Sequence, residues 1–511
     1  MTSRSVPPLP ASPDALVRRA AICFPRAEAV VDGERRLTWK EVAERVSRLA
    51  AALTALGLRP GDTVGVIADN SLAVLELYFA APAAGLVLLP LNTRLAGAEL
   101  AECLEDARCR VVVAGPEYVD VLREASPAAL VIAAGRSVPG LRCYDDLLRA
   151  SPQAPSGLRA DDVGYLYYTS GTTGRPKGVM LSAGGVLAGA LGCAAAAGLG
   201  SGARWLHASP MFHLADAWAI WAVTWLGGCH VTERFRAERT LRTLRAERID
   251  WSILVPTALE RLSAAAAAEG LDVAGMRGML YGGAALPERT WNAAANALRA
   301  PLIGTYGATE TAGTITVLPW ADQLPPGAGG IGRVGRETLV TTLTLLGDAG
   351  GPAGPGEVGE IAVSSPAVML GYRNRPEETR AALAGGRYRT GDLGRREDDG
   401  VIRLVGRKKE MMISGGENVY PAEVENSLSL HPDVRAVAVF GVPDPEWGEA
   451  VVAVVEPEPG RSVDLGSLRE FGRRGLAAYK LPRVLHLVDA LPVTGSGKVD
   501  RPLLRSRYGT A

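Results

Sequence analysis

Residues 62–90 read DTVGVIADNSLAVLELYFAAPAAGLVLLP, and this stretch decides the fold class. An apolar run at 64–68 predicts a short strand, the segment from Ser71 predicts an amphipathic helix, and residues 85–90 again predict a strand. Strands that alternate with helices need crossover connections, which leave the strands parallel in a sheet covered on both faces. The stretch therefore predicts an α/β fold.

The same alternation continues on both sides of this stretch. Upstream, Thr38 and Glu41 have the spacing of a capping box, which predicts a helix that begins here and ends near Gly57. Downstream, apolar runs at 110–114 and 129–133 predict two further strands. The first third of the chain thus repeats strand and helix in turn.

The pattern changes near Gly329. Short β-rich pieces at 339–346, 359–363 and 400–405 are separated by Gly/Pro turns, which is typical of an antiparallel, barrel-like subdomain. The last segment begins after Arg407 and has about 100 residues, enough for a small domain of its own.

This last segment mixes helices and strands. A helix is predicted from Pro421, strands at 434–440 and 450–455, and a second helix near 465–475. We therefore predict two domains, an N-terminal one over residues 1–407 and an α+β C-terminal one over residues 408–511.

The composition excludes several classes of protein. Among 511 residues, 55 Lys+Arg balance 55 Asp+Glu, so no net charge draws the chain to nucleic acid or to an anionic membrane. The six cysteines form no C-x-x-C pair, which favours reduced thiols over a disulfide framework. The N-terminus lacks a secretory signal, and no apolar run reaches the ~20 residues of a membrane span. We expect a multidomain cytoplasmic enzyme without a transmembrane segment or a nucleic-acid partner.

The sharpest chemical signal is at residues 168–178, which read YTSGTTGRPKG. Hydroxyls and unhindered backbone N–H groups in one loop, with a lysine and an arginine alongside, are what a polyphosphate needs. The loop is not a Walker A motif, because Pro176 stands where that motif requires glycine. A flexible Gly/Ser/Thr surface turn would be the default interpretation of a shorter match.

Two other glycine-rich stretches do not predict a nucleotide site. The G-x-G-x-x-G pattern at 330–335 follows a Pro/Gly loop instead of a strand. The stretch 495–498 resembles the end of a P-loop, but Val499 replaces the metal-binding Ser/Thr and Pro492 replaces the first glycine.

Five further motifs follow the phosphate loop in order. They are Tyr306-Gly307-Ala308-Thr309-Glu310, RYRTGDL at 387–393, GRKKE at 406–410, ISGGEN at 413–418 and PVTGSGKVDR at 492–501. Together the six motifs resemble, across nearly the whole chain, the adenylate-forming superfamily of acyl-CoA synthetases, adenylation domains and luciferases. The one departure noticed is Glu410, where many members carry aspartate, and it affects no assigned role.

The resemblance implies a fold and a reaction. Members have a large N-terminal domain of two α/β subdomains plus a β-barrel-like subdomain, and a small mobile C-terminal domain. They activate a carboxylic acid with ATP to an acyl-adenylate and release pyrophosphate, and many then pass the acyl group to a thiol such as CoA.

The resemblance also implies site residues for ATP. The phosphate-holding loop matches Thr169, Ser170, Gly171, Thr172, Thr173, Gly174 and Lys177. Thr309 matches a phosphate-contacting catalytic hydroxyl, and Glu310 matches the carboxylate that holds Mg²⁺.

The nucleoside half of ATP has its own matching residues. Tyr306 and its neighbour Gly307 match the motif that packs on adenine. The same pocket is lined by residues that match Gly282, Gly283 and Ala284. Asp392 and Arg407 match the two residues that bind the ribose hydroxyls.

Further matches concern catalysis and the acceptor. Lys498 matches the catalytic lysine, whose ammonium bridges the carboxylate and the α-phosphate and offsets the charge of the pentavalent centre. His213 matches the ring that lines and gates the carboxylate pocket. Lys409 matches the hinge between the domains, and Gly415 with Gly416 matches the place where the pantetheine of CoA passes.

Each of these residues has a plainer interpretation when taken alone. Asp392 is then a turn residue and Arg407 a surface charge, while Lys498 is a solvated lysine and Glu310 a carboxylate at a helix N-terminus. His213 beside Met and Phe is then a core residue. The shared order of the motifs favours the functional interpretation for all five.

Two features bear on which member this is. No carrier-attachment motif follows Lys498, which predicts a free-standing enzyme, and Gly415 favours an acid–CoA ligase. The alternative is a stand-alone adenylating enzyme that delivers its acyl group to a carrier protein, an amine or another nucleophile. A luciferase-like oxygenase is less favoured, and a non-catalytic paralogue disagrees with the intact Lys498 and Glu310. The oligomeric state stays open.

The acid is only loosely constrained by the sequence. The stretches expected to line its pocket, at 213–225, 254–257 and 281–284, are apolar apart from Asp216 and a few hydroxyls. Because they contain no arginine for a second carboxylate, they favour a fatty or aryl acid over a dicarboxylate. Three tryptophans at 218, 221 and 225 form one helix face that is typical of core, with Trp218 a candidate wall of the acid pocket.

Overall fold

The structure is a computed structural model that describes residues 12–126, 128–152, 158–169, 176–324, 330, 332–347, 350–493 and 499–509. The elements of its first part are α1 (Pro13–Cys23), β1 (Glu28–Asp32), β2 (Arg35–Thr38), α2 (Trp39–Ala55), β3 (Thr63–Ile67), α3 (Leu72–Ala83), β4 (Val87–Pro90), α4 (Gly97–Asp106), β5 (Val111–Ala114), α5 (Val119–Ala125), β6 (Leu130–Ala133), β7 (Arg142–Cys143) and α6 (Tyr144–Leu147).

The middle of the chain continues the alternation. Its elements are β8 (Val163–Thr169), β9 (Lys177–Ser182), α7 (Ala183–Ala197), β10 (Arg204–His207), α8 (Leu214–Trp225), β11 (Cys229–Thr232), α9 (Ala237–Ala246), β12 (Trp251–Leu254), α10 (Pro256–Glu269), β13 (Gly278–Tyr281), α11 (Glu288–Leu298), β14 (Leu302–Ala308) and β15 (Gly313–Leu318).

The last part is richer in strands. Its elements are β16 (Arg333–Glu337), β17 (Thr342–Leu346), β18 (Gly359–Ser364), β19 (Gly371–Tyr372), α12 (Pro376–Ala382), β20 (Tyr388–Arg396), β21 (Ile402–Arg407), β22 (Met412–Ser414), β23 (Glu417–Val419), α13 (Pro421–Leu428), β24 (Val434–Asp444), β25 (Gly448–Pro457), α14 (Leu465–Gly472), β26 (Val484–Leu487) and α15 (Arg501–Tyr508).

Two large sheets form the body of the molecule and confirm the predicted α/β class. One has eight strands in the order β19-β9-β8-β4-β3-β5-β6-β7, and its run from β8 to β7 is parallel. The other has thirteen strands in the order β17-β18-β20-β21-β16-β15-β14-β13-β12-β10-β11-β1-β2, parallel from β14 to β1. The antiparallel pieces predicted after Gly329 are found as β17, β18 and β21, and they extend the edge of this second sheet.

Helix α3 differs from the prediction, because it is not amphipathic. Every residue except Ala73 is buried, including Glu76 at 0% exposure. The helix contacts β3 and β4 of the eight-stranded sheet and β1 of the thirteen-stranded sheet. The ring of Tyr78 lies 5.8 Å from that of Tyr165 on β8 and 5.7 Å from that of Trp221 on α8. A helix with a sheet on each side has no solvent face, so its sequence carries no apolar stripe.

The predicted start of α2 is confirmed in detail. The side chain of Thr38 accepts a hydrogen bond from the Glu41 N–H, and the Glu41 carboxylate accepts one from the Thr38 N–H at 2.7 Å. The capping box thereby satisfies two N–H groups that the helix itself leaves unpaired. The helix ends at Ala55, close to the predicted stop.

The residues after Arg407 build their own sheet, β23-β22-β25-β24 with β26 beside β25, and three helices. This unit contacts the rest of the chain through an ion pair of 2.7 Å between Arg289 on α11 and Glu458. Tyr420, just before α13, packs beside Gly406 on β21. The division into residues 1–407 and 408–511 stays a prediction.

Two expectations about the chain as a whole can be compared with the structure. All six cysteines are free, and burial raises the pKa of four of them, Cys103, Cys109, Cys193 and Cys229, to about 12. Across the described ranges, no helix has both the length and the apolar character that crossing a membrane demands.

Candidate active site

Three predicted nucleoside-binding residues meet at one end of the thirteen-stranded sheet. The Tyr306 phenol on β14 donates a hydrogen bond of 2.7 Å to Oδ2 of Asp392 on β20. Oδ1 of the same carboxylate pairs with Arg407 Nε at 3.0 Å, because Asp392 and Arg407 are partners in the β20–β21 ladder. The sheet therefore brings together residues from three separate motifs.

The electrostatics of this cluster keep its groups in fixed protonation states. The negative charge of Asp392 raises the pKa of Arg407 above its ordinary value, although burial acts in the opposite direction. Burial, reinforced by Asp392, raises the pKa of Tyr306 well above its ordinary value. The phenol thus stays a hydrogen-bond donor and the guanidinium stays charged over the whole physiological range.

Glycines are required where the backbone approaches this cluster. A Cβ on Gly282 would lie 2.3 Å from Oγ1 of Thr305, and one on Gly307 would lie 1.9 Å from the carbonyl oxygen of Gly313. Gly283 has φ +80°, a conformation that disfavours a side chain. Gly282 follows β13, the neighbour of β14 in the sheet, so the predicted adenine-lining residues lie beside Tyr306.

The phosphate loop connects two paired strands. Thr169, the last residue of β8, lies opposite Lys177, the first residue of β9. The intervening loop residues with predicted roles, Ser170, Gly171, Thr172, Thr173 and Gly174, lie outside the described residues. Lys177 forms an ion pair with Glu378 on α12, and its ammonium lies 5.5 Å from the ring centre of Tyr372.

Glu310 and Thr309 occupy a 3₁₀ turn, Thr309–Thr311, directly after β14. The Glu310 carboxylate accepts a hydrogen bond of 2.8 Å from the phenol of Tyr372. Burial, followed by the charge of Glu310, raises the pKa of Tyr372 well above its ordinary value, so the phenol remains protonated. Tyr372 therefore touches both the predicted metal carboxylate and the predicted phosphate lysine.

Sequence reasoning missed three residues of this region. Tyr372 and Glu378 hold the phosphate-side groups, and Tyr388 lies between the phosphate and nucleoside clusters. Burial raises the pKa of Tyr388 well above its ordinary value, with Glu310 and Asp392 both contributing. Tyr388 is part of the RYRTGDL motif, so the sequence did mark its position as part of the site.

His213 stands at the end of the β10–α8 connection, as the residue that caps α8. Its carbonyl accepts hydrogen bonds from the Asp216 and Ala217 N–H groups, at 3.1 and 3.0 Å, and its ring lies 4.6 Å from that of Phe212. A Cβ on Gly313 would lie 3.1 Å from the carbonyl of Leu214. The start of α8 is thus packed just beyond the Thr309–Thr311 turn.

Two pocket residues suggested by the sequence are core residues. Asp216 is fully buried and accepts hydrogen bonds from Trp205 and His207, so the polar group noted in the acid-pocket stretch is already engaged. Trp218 is also fully buried, with its ring edge-on to Trp205 at 5.1 Å. The tryptophan stripe is core, as expected.

The Gly415–Gly416 turn lies in the C-terminal unit. Both glycines have positive φ, +62° and +82°, between the paired residues Ser414 and Glu417. A Cβ on Gly415 would lie 3.1 Å from the ring of Trp447, and Arg483 stacks on the same ring, 3.5 Å from its centre. Within the part of the chain that the structure describes, the turn makes no hydrogen bond to the nucleoside cluster.

The predicted hinge lies between β21 and β22. Lys409 is exposed, whereas its neighbour Lys408 pairs with Glu360 on β18 at 3.3 Å. The Lys408 N–H also donates to the Gly391 carbonyl at 2.9 Å. The other end of the C-terminal unit holds the predicted catalytic Lys498, which lies outside the described residues.

Glu310 is the carboxylate that the motifs predict as the metal ligand. Over the described ranges, the chain holds no group of three or more His, Cys, Asp or Glu side chains that could bind a metal ion. A single carboxylate fits Mg²⁺, which usually keeps several waters and takes its other ligands from substrate phosphates. The site therefore suits a metal that arrives with a nucleotide.

Comparison with protein families settles the assignment. The family model described as AMP-binding enzyme matches residues 17–373, and that described as AMP-binding enzyme C-terminal domain matches residues 423–498. The chain belongs to the family of AMP-binding enzymes. The resemblance seen in the six motifs is thereby confirmed.

Relatives of this AMP-binding enzyme cover nearly its whole length. A feruloyl-CoA synthase from Amycolatopsis sp is 40% identical over 501 residues, 96% of this chain and 98% of that protein. An indoleacetate–CoA ligase from Aromatoleum aromaticum is 36% identical over 500 residues, 96% of each protein. The solved structure of the amide bond synthetase McbA from Marinactinospora thermotolerans matches with a TM-score of 0.88 and 29% identity, over 97% of this chain and 100% of that one. The two relatives quoted are thus named a CoA synthase and a CoA ligase. The predicted α/β fold with a large N-terminal and a small C-terminal domain is confirmed.

Proposed function

We propose that this enzyme activates an aryl carboxylic acid with ATP to an acyl-adenylate and transfers the acyl group to CoA. The observation that supports the proposal is the presence of two clusters, one on the thirteen-stranded sheet and one where residues of both sheets meet at Tyr372. Tyr306, Asp392 and Arg407 would bind a nucleoside, and Lys177 with Glu310 would bind phosphates and their metal.

The nucleoside site is arranged for a diol. An ionised carboxylate offers about four lone-pair sites, and Asp392 uses one for Tyr306 and one for Arg407. The remaining sites can accept hydrogen bonds from the two ribose hydroxyls. The tyrosine and the arginine thus fix the orientation of the carboxylate before the nucleotide binds.

The phosphate site contains a lysine, Lys177, to bind the phosphates and a carboxylate, Glu310, to bind their metal ion. Lys177 would bind the β- and γ-phosphates together with the loop of Thr169 and the residues after it. Glu310, oriented by Tyr372, would hold Mg²⁺, which neutralises the charge of the phosphates. Thr309, in the same turn as Glu310, would contact a phosphate through its hydroxyl.

The first reaction forms one bond and breaks one. A carboxylate oxygen of the acid attacks the α-phosphorus, and the bond to pyrophosphate breaks. Both reactants are anions, so the ammonium of Lys498 would lower the barrier by bridging them. His213 would line the pocket that holds the carboxylate.

The second reaction replaces AMP by a thiol. The thiol of CoA attacks the acyl carbon, AMP leaves, and the thiol proton passes to solvent. The Gly415–Gly416 turn offers a side-chain-free path for the pantetheine arm. Beside it, Nε of Arg483 is buried without a partner among the described residues, and such an unpaired donor suits a phosphate of CoA.

The acid is proposed to be aromatic for two reasons. The relatives quoted above act, by their names, on ferulate and indoleacetate. In addition, no arginine lies in the stretches at 213–225, 254–257 and 281–284, and the Asp216 carboxylate is internal. An apolar pocket with few charges suits an aryl acid with one carboxylate.

An amine acceptor is the second candidate. It is favoured by the match to the amide bond synthetase McbA, which extends over 97% of this chain. The adenylation reaction is the same in both cases, so the two candidates differ only in the group that attacks the acyl carbon.

We also propose that the enzyme is cytoplasmic, because its six cysteines are free thiols and the cytoplasm keeps thiols reduced.

One assay tests both reactions. Purified enzyme with ATP and Mg²⁺ is offered a panel of cinnamic, indoleacetic, benzoic, fatty and dicarboxylic acids, with and without CoA, and pyrophosphate, AMP and ADP are measured. We expect pyrophosphate and AMP with aryl acids, turnover that depends on CoA, and an acyl-CoA product. ADP would contradict the adenylate, and an amide formed from an added amine without CoA would favour the second candidate.

A further inference from the structure

The connection between β10 and α8, residues 208–213, carries the predicted acid-site residue His213 at its end. Connections of this kind are usually held by packing and by their own turns. This one is instead held at both ends by polar side chains, the half-buried Asn70 and the fully buried Asp216.

Asn70, between β3 and α3, holds the first half of the connection. Its amide nitrogen donates to the backbone carbonyls of His207 and Ser209, both at 2.7 Å, and to that of Glu233 at 3.3 Å. Its amide oxygen accepts the N–H of Met211 at 2.8 Å. The amide of Asn70 thus binds His207, Ser209 and Met211, which are every second residue where the connection leaves β10.

Two further side chains complete this attachment. The Ser209 hydroxyl donates to the Ile253 carbonyl on β12 at 2.7 Å. The Tyr78 phenol donates to the Met211 carbonyl and lies 3.0 Å from the phenol of Tyr167. The polar groups of Ser209 and Met211 therefore have partners outside the connection, which leaves these residues little freedom.

A buried network holds the other end, at the first turn of α8. Asp216 accepts hydrogen bonds from Trp205 Nε1 at 3.1 Å and from His207 Nδ1 at 2.6 Å. Nε2 of His207 lies 2.9 Å from Nδ1 of His230, and Nε2 of His230 lies 3.0 Å from Oγ1 of Thr224. Since Thr224 is again on α8, the network leaves the helix, crosses β10 and β11, and returns to it.

The direction of this network is set at Thr224. Its hydroxyl donates to the Ile220 carbonyl at 2.7 Å, because a carbonyl can only accept, so its oxygen accepts from His230. Burial keeps the pKa of His230 well below its ordinary value, so this ring is neutral and its Nδ1 accepts from His207. His207 thus lies between the neutral His230 ring and the buried carboxylate of Asp216 and links the two.

We propose that Asn70 and Asp216 are positioning residues of the acid site: they clamp the connection at 208–213 and so fix where the His213 ring stands. The proposal rests on the proposed function, because His213 acts on the acid only there. Neither residue touches the nucleoside or phosphate clusters through any contact described above. Loosening the clamp should therefore weaken use of the acid and leave use of ATP unchanged.

The test compares Asn70→Ala with a matched control, Ser252→Ala. Ser252 is buried and donates to the Leu206 carbonyl on β10 at 2.8 Å, but its side chain makes no hydrogen bond to residues 208–213. For each variant, the unfolding midpoint and the KM values for acid and for ATP are measured by pyrophosphate release. We expect Asn70→Ala to raise the KM for the acid about tenfold, as for the loss of a hydrogen bond worth about 1.4 kcal/mol, with the KM for ATP within about twofold. Ser252→Ala should lose stability and change neither constant.

A double-mutant cycle with His213→Ala separates positioning from a general loss of structure. If Asn70 acts through His213, then Asn70→Ala adds less than about twofold to the KM for the acid in the His213→Ala background. An undiminished effect in that background, or an equal rise of both KM values, would overturn the proposal. Should Asn70→Ala fail to fold, Asp216→Asn takes its place, and an unchanged KM for the acid there counts against the clamp.

Hydrogen exchange gives a reading that needs no activity. Amides of residues 208–213 should lose protection at least about tenfold in Asn70→Ala and none in Ser252→Ala, while the core of the eight-stranded sheet stays protected. Unchanged protection would contradict the clamp. A wild type that releases no pyrophosphate with any acid would instead contradict the proposed function, and the exchange result would still decide the clamp.

Discussion

The phenol of Tyr306 donates a hydrogen bond of 2.7 Å to the carboxylate of Asp392, 86 residues further along the chain. The two residues come from different motifs, and neither motif predicts the other's position. Their contact arises because β14 and β20 reach the same end of the sheet, where Arg407 binds the other oxygen of the same carboxylate. A group that binds two ribose hydroxyls needs such fixed orientation, since hydrogen bonds lose strength when misaligned.

Tyr306→Phe should weaken ATP binding while leaving the fold intact. The variant removes the donor to Asp392, but Arg407 still holds the carboxylate, so we expect the KM for ATP to rise by about three- to tenfold and the KM for the acid to stay unchanged. A matched control is Tyr144→Phe, which removes a phenol that donates to Glu76 at 2.7 Å far from the site. The prediction is wrong if the two variants have the same KM for ATP.

Glu378→Gln should tighten ATP binding. Glu378 pairs with Lys177, and the hydrogen bond from Lys177 keeps the pKa of the carboxyl below its ordinary value. A triphosphate has to displace this carboxylate, so its removal should lower the KM for ATP about two- to fivefold, as expected for a partly exposed ion pair. Glu377→Gln, one residue earlier and exposed, serves as the control. A rise in the KM for ATP would show that Glu378 assists binding.

The fold was predictable from the sequence wherever the structure of an element depends on its own residues alone. The capping box at Thr38, the strands around residues 62–90 and the change of texture after Gly329 all depend on local spacing. Helix α3 was not predictable in this way, because its burial on all sides depends on Tyr165 and Trp221, which belong to other elements. An apolar helix between two sheets has no periodic signal to distinguish its faces.

The site was predictable as a set of motif residues but not as a set of contacts. Tyr372 was missed because its partner Glu310 lies 62 residues away in the sequence. No motif near Tyr372 indicates that its hydroxyl belongs to the candidate site. Asp216 was noted only as the charged residue in an apolar stretch expected to line the acid pocket. Its actual partners, Trp205 and His207, are on β10 and become visible only when strand and helix pack together.

Glu360→Gln should make stability less sensitive to acid. Burial alone would raise the pKa of Glu360, but hydrogen bonds from Arg389 and Lys408 outweigh it and hold the pKa below its ordinary value. A carboxyl with a depressed folded pKa stabilises the fold above its unfolded pKa, and this contribution is lost as the pH falls through the folded value.

The difference in unfolding free energy between wild type and Glu360→Gln should therefore be about 1–3 kcal/mol at pH 7 and shrink below about pH 4.5. Urea unfolding at several pH values measures it. If the difference in unfolding free energy between the two proteins stays constant down to about pH 2.5, the negative charge of Glu360 is not its cause. Glu357→Gln, an exposed neighbour, should show no such dependence.

Lys498→Ala should abolish adenylate formation by a factor of at least about 10² while leaving the unfolding midpoint unchanged. Lysine side chains are seldom fully buried, so the loss of this one should cost little stability. Supplied with synthetic acyl-adenylate and CoA, the variant should still form the thioester. Normal pyrophosphate release would remove Lys498 from the mechanism, and loss of both reactions would point to a wider structural role.

Lys409→Pro should impair thioester formation more than adenylation. In the proposed mechanism the first reaction would need Lys498 at the α-phosphate and the second the Gly415 turn at the acyl carbon, which a rotation of the C-terminal unit would achieve. Lys409 is exposed between β21 and β22, in a turn closed by hydrogen bonds from the N–H groups of Glu410 and Met411 to the Arg407 carbonyl. Its neighbour Lys408 is anchored to Glu360 and Gly391, so Lys409 is the first residue beyond that anchor.

Proline fixes φ at this position and should trap one orientation. We expect at least about a tenfold larger loss in the second reaction than in the first, each measured separately, by pyrophosphate release and by conversion of supplied acyl-adenylate. Lys409→Ala keeps the backbone free and should retain both reactions. If alanine and proline behave alike, Lys409 is only a surface charge; if proline reduces both reactions equally with the fold intact, the rotation does not occur at this residue.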